Sequence, residues 1–237
     1  MKSLNTSVLL GCLVIILTSM QSTFSLDELT GKVMWSTTNP GGMHDSTAAA
    51  FHDMQQAAAQ DGIQLSIASG FRNYDRQMSI WNRKYKRYRN QGLLQEAAAR
   101  KVIEYSTIPG TSRHHWGTDL DLIDASKRVA GDHLRASNYE NDGPYCPLYE
   151  WMQEHAADYG FYLVYTADPE RKGFKYEPWH WSYAPRSIPM LAAYQESVDL
   201  KQLISDAIGD DLSITDDFIT EYFNGNILDI NPVLLPQ

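Results

Sequence analysis

Residues 112–121 read Ser-Arg-His-His-Trp-Gly-Thr-Asp-Leu-Asp, which places two imidazoles, a glycine and two carboxylates within ten positions. Well downstream stands a second polar knot, Glu177-Pro178-Trp179-His180. If the two knots serve one centre, the fold must bring a segment ending at Asp121 beside a segment beginning near His180. Zinc used catalytically takes three protein ligands from imidazole and carboxylate and keeps one position open. His114, Asp121 and His180 supply such a set, and Gly117 lets the backbone turn closely between the first two. Glu177, three residues before His180, is then placed to serve as general base for a water.

The surrounding pattern predicts how the knots are carried. Asp45 reads as the N-cap of an alanine-rich helix to Gln60 whose Ala50, Phe51, Met54 and Ala58 share a face, closed by Gly62. Ile63, Leu65 and Ile67 alternate with Gln64, Ser66 and Ala68, the period of a half-buried strand, which delivers Ser69-Gly70-Phe71-Arg72 at its end. A helix follows over 74–89, with Met78, Trp81, Tyr85 and Tyr88 as its buried stripe and its basic residues toward water. Another spans 95–105, closed by Pro109-Gly110. The stretch 117–123 is strand-like, 124–147 a polar loop beside the site. Leu148, Trp151, Met152, His155 and Tyr159 fall at helical spacing before Gly160. A short strand over 161–165 turns at 168–173 and pairs back over 174–183, with Trp179 pointing away from its neighbours into the core. Antiparallel returns among helices argue for an α+β fold, a small antiparallel sheet with helices packed around it. The expected organisation is a signal peptide over 1–25, a catalytic domain over 26–187, and a C-terminal helix and acidic tail over 188–237.

Composition excludes several classes. Hydrophobic residues at 43% and charged residues at 21% are globular values, so wholesale disorder is excluded. A formal net charge of -9, with no basic patch beyond 83–89, argues against nucleic acid. Lys2, an apolar run over 8–17, and Thr23 and Ser25 at the small positions before Leu26 read as an export signal, too short for a comfortable membrane span. Leu9-Leu10-Gly11-Cys12 resembles a lipid-attachment box, but the apolar run continues past Cys12. Cleavage leaves Cys146 alone, so no internal disulfide is available and the core must hold the domain. An exported monomer, periplasmic or in the cell envelope, is expected. His44, His52 and His133 have no partner pattern, and His155 reads as a core histidine.

Taken together, Ser112-x-His114-x-x-Gly117-x-x-x-Asp121 and Glu177-x-x-His180 resemble the signature of the zinc D-alanyl-D-alanine metallopeptidases. These include vancomycin-resistance D,D-dipeptidases and D,D-carboxypeptidases, with related L,D-carboxypeptidases. Ser69-Gly70-Phe71-Arg72, with Gln77 five residues past the arginine, is similar to that family's substrate-binding element. The run 176–181 is similar to its carboxypeptidase branch, and the resemblance covers about 45–183. It implies a hedgehog/D,D-peptidase-like fold with one Zn2+ in a groove on the sheet, held by His114, Asp121 and His180, and Glu177 as base. It further implies that Arg72 meets the substrate's terminal carboxylate or the developing oxyanion, with Ser112 and Gln77 helping to hold that carboxylate. The implied activity is release of terminal D-alanine from peptidoglycan stem peptides. An L,D-carboxypeptidase acting on tetrapeptide stems carries the same motifs. A non-catalytic wall-binding relic should have lost Glu177 or a ligand first. In one departure, the family usually has Ala where this chain has Asp119. Residues 119 and 121 share a strand face, so Asp119 either orients a ligand histidine or competes with Asp121 for the metal; the spacing from His114 favours Asp121.

Overall fold

The strand Asp119–Asp124 (β2) alternates acid and leucine, and that alternation organises the sheet. The computed structural model describes residues 24–104, 106–209 and 212–237; the export signal expected over 1–25 lies, up to residue 23, outside them. β2 pairs antiparallel on one side with Leu65–Ser69 (β1) and on the other with His180–Tyr183 (β4), and Phe161–Leu163 (β3) closes the order β1-β2-β4-β3. Cross-strand partners are Leu120 with Trp181 and Asp121 with His180 on β4, and Asp121 with Ser69 on β1. Successive side chains on a strand point to opposite faces. Leu120, Leu122 and Trp181 therefore go down into a core with Leu65, Phe161 and Leu163, while Asp119, Asp121, His180 and Ser182 share the other face.

Helices cover both faces. Asp45–Gln60 (α2) supplies Phe51, Met54 and Ala58 to the lower core, and Cys146–His155 (α5) supplies Leu148, Trp151 and Met152. The N-cap of α2 is His44, whose Nδ1 accepts the Ser46 N–H at 3.2 Å, rather than Asp45. Leu26–Thr30 (α1) opens on a capping box between Ser25 and Glu28. A second core gathers Trp81 of Tyr74–Asn90 (α3), Val102 of Gln95–Ile103 (α4), Trp116 and Tyr165.

The C-terminal residues complete that second core. The boundary expected at 187/188 falls inside Ala184–Ser197 (α6). Beyond it, Leu200–Ile208 (α7) and Asp216–Tyr222 (α8) bury Ile204, Ile208, Phe218 and Tyr222 against it, followed by Ile227, Ile230 and Leu234. Asp206, Asp216, Asp217 and Glu221 are exposed on helices whose other faces are apolar and buried, so the described part of this stretch packs on the second core.

Two local expectations are corrected. The return strand begins only at His180, and 174–179 is irregular chain tied by Glu177 N–H to the Tyr165 carbonyl at 3.1 Å. Trp179 thus precedes the strand, and strand alternation does not apply to it; it packs obliquely on Tyr139 (5.8 Å between ring centres) and lines the groove described below. On β1 a bulge between Ile67 and Ser69 bends the strand end and re-aims the segment leading to Arg72.

Gly117 ends the short 3-10 turn Arg113–Trp116 with φ +66, and this turn swings the chain from His114 onto β2. A Cβ there would stand 2.6 Å from Trp35 Cδ1. Gly117→Ala is expected to lose about 1–2 kcal/mol from the left-handed backbone alone, more with the clash. Denaturant melts of both forms check this, and equal midpoints would refute it.

Candidate metal centre and active site

Two histidines reach the polar face of the sheet with their ring orientations already set. His114 Nδ1 lies 2.9 Å from the Gly70 carbonyl oxygen. A carbonyl only accepts, so Nδ1 carries the proton and Nε2 offers its lone pair, 3.6 Å from Asp121 Oδ1. His180 is turned the other way. Its Nε2 donates to Asp119 Oδ1 at 3.1 Å, and its Nδ1 faces Asp121 Oδ1 at 3.7 Å and Glu177 Oε2 at 3.1 Å.

The donor atoms of His114, Asp121 and His180 all lie within 4.8 Å of one another, and all three residues are buried. Asp121 Oδ1 is sealed from solvent with no hydrogen-bond partner. Buried acceptors almost always find a donor, so an orphaned carboxylate oxygen between two imidazole lone pairs is a place for a cation. A tetrahedral ion with bonds of about 2.0–2.2 Å sets its ligand atoms roughly 3.3–3.6 Å apart, close to the spacing here, and two imidazoles with one carboxylate are donors that suit zinc. Electrostatics agree. Burial opposes charge on His180, but hydrogen bonds to Asp119 and Glu177 and the nearby Asp121 charge hold its pKa up at about 10, so without an ion Nδ1 carries a proton toward Glu177, and an ion bound there would take that proton's place on the lone pair. The pocket is built around positive charge.

Asp119, left open by the sequence, is fully engaged. Oδ1 accepts from Arg113 Nε (2.9 Å) and His180 Nε2, and Oδ2 accepts from Thr118 Oγ1 (2.6 Å) and Ser182 Oγ (3.0 Å). Arg113 Nη2 donates in turn to Ser182 Oγ at 2.7 Å. Burial raises the Asp119 pKa, yet Arg113 and His180 hold it well below the usual carboxylate range. It orients His180, while the donor atoms that gather closely enough to hold a metal are those of Asp121 and the two histidines. Arg113, the residue between Ser112 and His114, has no sequence pattern linking it to a carboxylate six residues on.

Arg72 leaves the β1 bulge with its N–H bonded to the His114 carbonyl (3.1 Å). Its Nη1 donates to Gln77 Oε1 at 2.8 Å and its Nη2 to Ser69 Oγ at 3.3 Å. Gln77 is fully buried and spends its amide on Arg72, Ser106 Oγ and the Thr107 carbonyl. It therefore stands behind Arg72 instead of in the groove, and acts on a ligand only through the arginine. Ser112, His114, Asp121, Glu177, His180 and Arg72 all line one groove of about 580 Å³. Lys84, Asp132, Lys175 and Tyr176 line it too. Lys84 sits seven residues after Gln77 on the same side of α3, so the basic residues of this helix do not all face water.

The remaining histidines have other tasks. His115 turns away, its Nδ1 on the Arg72 carbonyl and its Nε2 accepting the Gly110 N–H at 3.1 Å; burial pushes its pKa down to about 3. His133 pairs with Tyr145, and His52 with Gln56. His155, expected in the core, leaves 37% of its side chain exposed beside Trp151.

An α+β domain that gathers a His-Asp-His cluster, a neighbouring carboxylate and a guanidinium in one groove holds the set of side chains that metal-assisted hydrolysis uses. The D-alanyl-D-alanine carboxypeptidase family model matches residues 41–186, and the chain belongs to that family. It is 33% identical over 138 residues to the putative carboxypeptidase YodJ of Bacillus subtilis, covering 57% of this chain and 44% of that one. With the D-alanyl-D-alanine carboxypeptidase of Enterococcus faecalis it shares 29% over 132 residues, 55% and 44% of the two chains. The matched chain thus spans less than half the length of these curated relatives. Among solved structures, VanYB in complex with D-alanine-D-alanine matches with 24% identity over 65% of this chain and 78% of that one, at a TM-score of 0.49.

Asp119→Asn is expected to weaken zinc binding by about 10–100-fold, the usual effect of losing a partner behind a ligand histidine, read by competition with a chelating dye. Unchanged affinity would reduce Asp119 to a counter-ion for Arg113.

Proposed function

We propose that this chain is an exported zinc-dependent carboxypeptidase that releases the terminal D-alanine of peptidoglycan stem peptides, working as a monomer. The observation that carries the reading is the orphaned Asp121 oxygen facing two oriented imidazole lone pairs, with Glu177 beside them and Arg72 in the same groove. His114, Asp121 and His180 would hold the ion. What zinc supplies when bound is Lewis acidity at a carbonyl and a water whose pKa falls to about 7.

Glu177 is the group that moves protons. Its carboxylate is 28% exposed at the groove wall, placed to take a proton from the attacking water and return it to the leaving amine. Arg72 keeps its charge even though burial lowers its pKa, with Asp121 and Glu177 offsetting that in part. Gln77 and Ser69 hold the guanidinium in one plane, which suits two-pronged capture of a terminal carboxylate or of the oxyanion that forms during attack. Ser112, which also lines the groove, is a second contact for that carboxylate. Such a grip requires a chain end, which favours a carboxypeptidase over an internal cut. The substrate lies outside the cytoplasmic membrane, in keeping with the basic, apolar and small-residue succession of the first 25 residues. Among the described residues no helix is long and apolar enough to cross a membrane.

Zinc-loaded protein is expected to release D-alanine from a pentapeptide stem and to stop when a chelator is added. Release from a tetrapeptide stem instead would make it an L,D-carboxypeptidase, and silence on every stem with zinc bound would sink the enzymatic reading. Glu177→Gln should keep its zinc and lose about 10²–10⁴-fold in kcat, whereas His180→Ala should lose both metal and turnover. Near-normal hydrolysis by Glu177→Gln would remove Glu177 from the role of base.

A further inference from the structure

The family match ends at residue 186, yet both loops that bring the site together are fastened by residues beyond it. The first loop joins β3 to β4 and carries Glu177. Asp229 Oδ2 accepts the backbone N–H groups of Lys172 and Gly173, both at 2.7 Å. The Asp229 carbonyl accepts Arg171 Nε (3.1 Å) and Nη2 (2.8 Å), and the same guanidinium donates to the carbonyls of Thr166 (2.9 Å) and Phe174 (3.0 Å), closing the loop on itself. Asn231 holds the loop's root through its N–H to the Val164 carbonyl (2.9 Å) and its Nδ2 to the Leu163 carbonyl (3.0 Å). Gly173 lies so close to the Gly225 carbonyl that any side chain there would collide with it. From this joint the contacts run inward. Phe174 packs edge-on to Tyr165 (5.4 Å), Tyr165 accepts the Glu177 N–H on its carbonyl, and its ring meets His180 edge-on at 5.1 Å.

The second loop precedes Ser112 and His114. Buried Tyr222 accepts the Ile108 N–H at 3.0 Å and shares a hydrogen bond with Thr111 Oγ1 at 2.8 Å. Buried Tyr194 donates to the Gly110 carbonyl at 3.0 Å. Most of these bonds go to loop backbone, so they fix where the chain runs instead of only filling space.

We propose that residues 222–231 form a clasp that sets the Glu177 loop and the His114 loop at the spacing the site needs, with Asp229 and Tyr222 as positioning residues. The site in this chain would then depend on residues outside the segment it shares with its family. A catalytic carboxylate displaced by about 1 Å can lose on the order of 10²-fold in rate, so holding these loops is a kinetic matter as well as a structural one.

The test uses the full zinc-loaded chain, with hydrogen exchange read segment by segment and D-alanine release from a pentapeptide stem read in parallel; only the second arm rests on the carboxypeptidase reading. Asp229→Ala is expected to raise exchange over 166–177 while β1 and β2 keep theirs. It should also lower kcat about tenfold or more with KM moving less than about threefold. Asp229→Asn, whose amide oxygen still accepts both N–H groups, should restore most of the exchange protection and turnover. Gly173→Ala should repeat the Asp229→Ala result from the other side of the joint. If Asp229→Ala fails to fold, Tyr222→Phe, which removes one oxygen, should raise exchange over 108–114 in the same local way. Unchanged exchange, a rise spread evenly through β1 and β2, or a local rise with turnover intact would each overturn the clasp. A wild type silent on every stem would fail the carboxypeptidase reading alone, and exchange would still decide the clasp.

Discussion

A buried acceptor left without a donor costs a fold on the order of 1–3 kcal/mol, and Asp121 Oδ1 is such an atom at the centre of the sheet. The hydrophobic pattern is what holds it there. Leu120 and Leu122 flank Asp121 and must point into the lower core with Trp181. Sliding β2 by one residue would put Asp119 and Asp121 into that core and the leucines outside, a far larger loss. Cross-strand pairing then fixes His180 opposite Asp121, with no freedom for either to turn away. The apolar face of the sheet therefore sustains the strain on its polar face, and a cation is what relieves it.

Behind the centre lies a buried ion pair, Arg113 with Asp119, both nearly sealed from solvent. Such pairs rarely add net stability, because the cost of desolvating two charges consumes most of their attraction. Its value here is geometric. Four hydrogen bonds hold the Asp119 carboxylate in one orientation, and that orientation decides which nitrogen of His180 faces Asp121. On the opposite side the Gly70 carbonyl does the same for His114. Both imidazoles are thus set before any metal arrives, so binding need not first order them.

The parts legible in the sequence were those governed by short periods and fixed spacings. Strand alternation revealed β1 and β2, and helical spacing revealed α2, α3 and α5. The His114, Asp121 and His180 trio followed from residue chemistry, with the family resemblance supplying Arg72, Ser112 and Gln77. What escaped depended on partners distant in sequence. Gln77 lies one turn before Trp81 on α3, on its buried side, but only the fold shows that its amide is spent on Arg72. Trp179 does pack against the lower core through Tyr139, but strand alternation was the wrong reason for it, because the residue stands ahead of the strand. The C-terminal stretch looked like a tail because its acids are conspicuous, although Ile204 with Ile208, and Phe218 with Tyr222, repeat at the spacing of a buried helix face. That signal was present and was outweighed by charge.

The site's components differ in how firmly they are held. Asp121 and His180 sit on central strands of a four-stranded sheet, where ladder bonds on both sides fix the backbone. His114 and Glu177 sit on a 3-10 turn and an irregular segment, and such chain keeps its place only through what packs against it. Half of the chemistry therefore rides on elements the sheet cannot hold by itself. The turn that carries His114 leans on α1, Trp35 and the Gly70–Arg72 segment, while the loops leading to it and to Glu177 are also held by Tyr194, Tyr222 and Asp229 of the C-terminal residues. A fragment ending at residue 186 would keep His114, Asp121, His180, Glu177 and Arg72, yet leave the Arg171 loop and the Ile108–Thr111 turn without the hydrogen bonds from Asp229, Tyr194 and Tyr222. Possession of the motif and possession of a working site are then separate properties, and the second depends on the C-terminal residues.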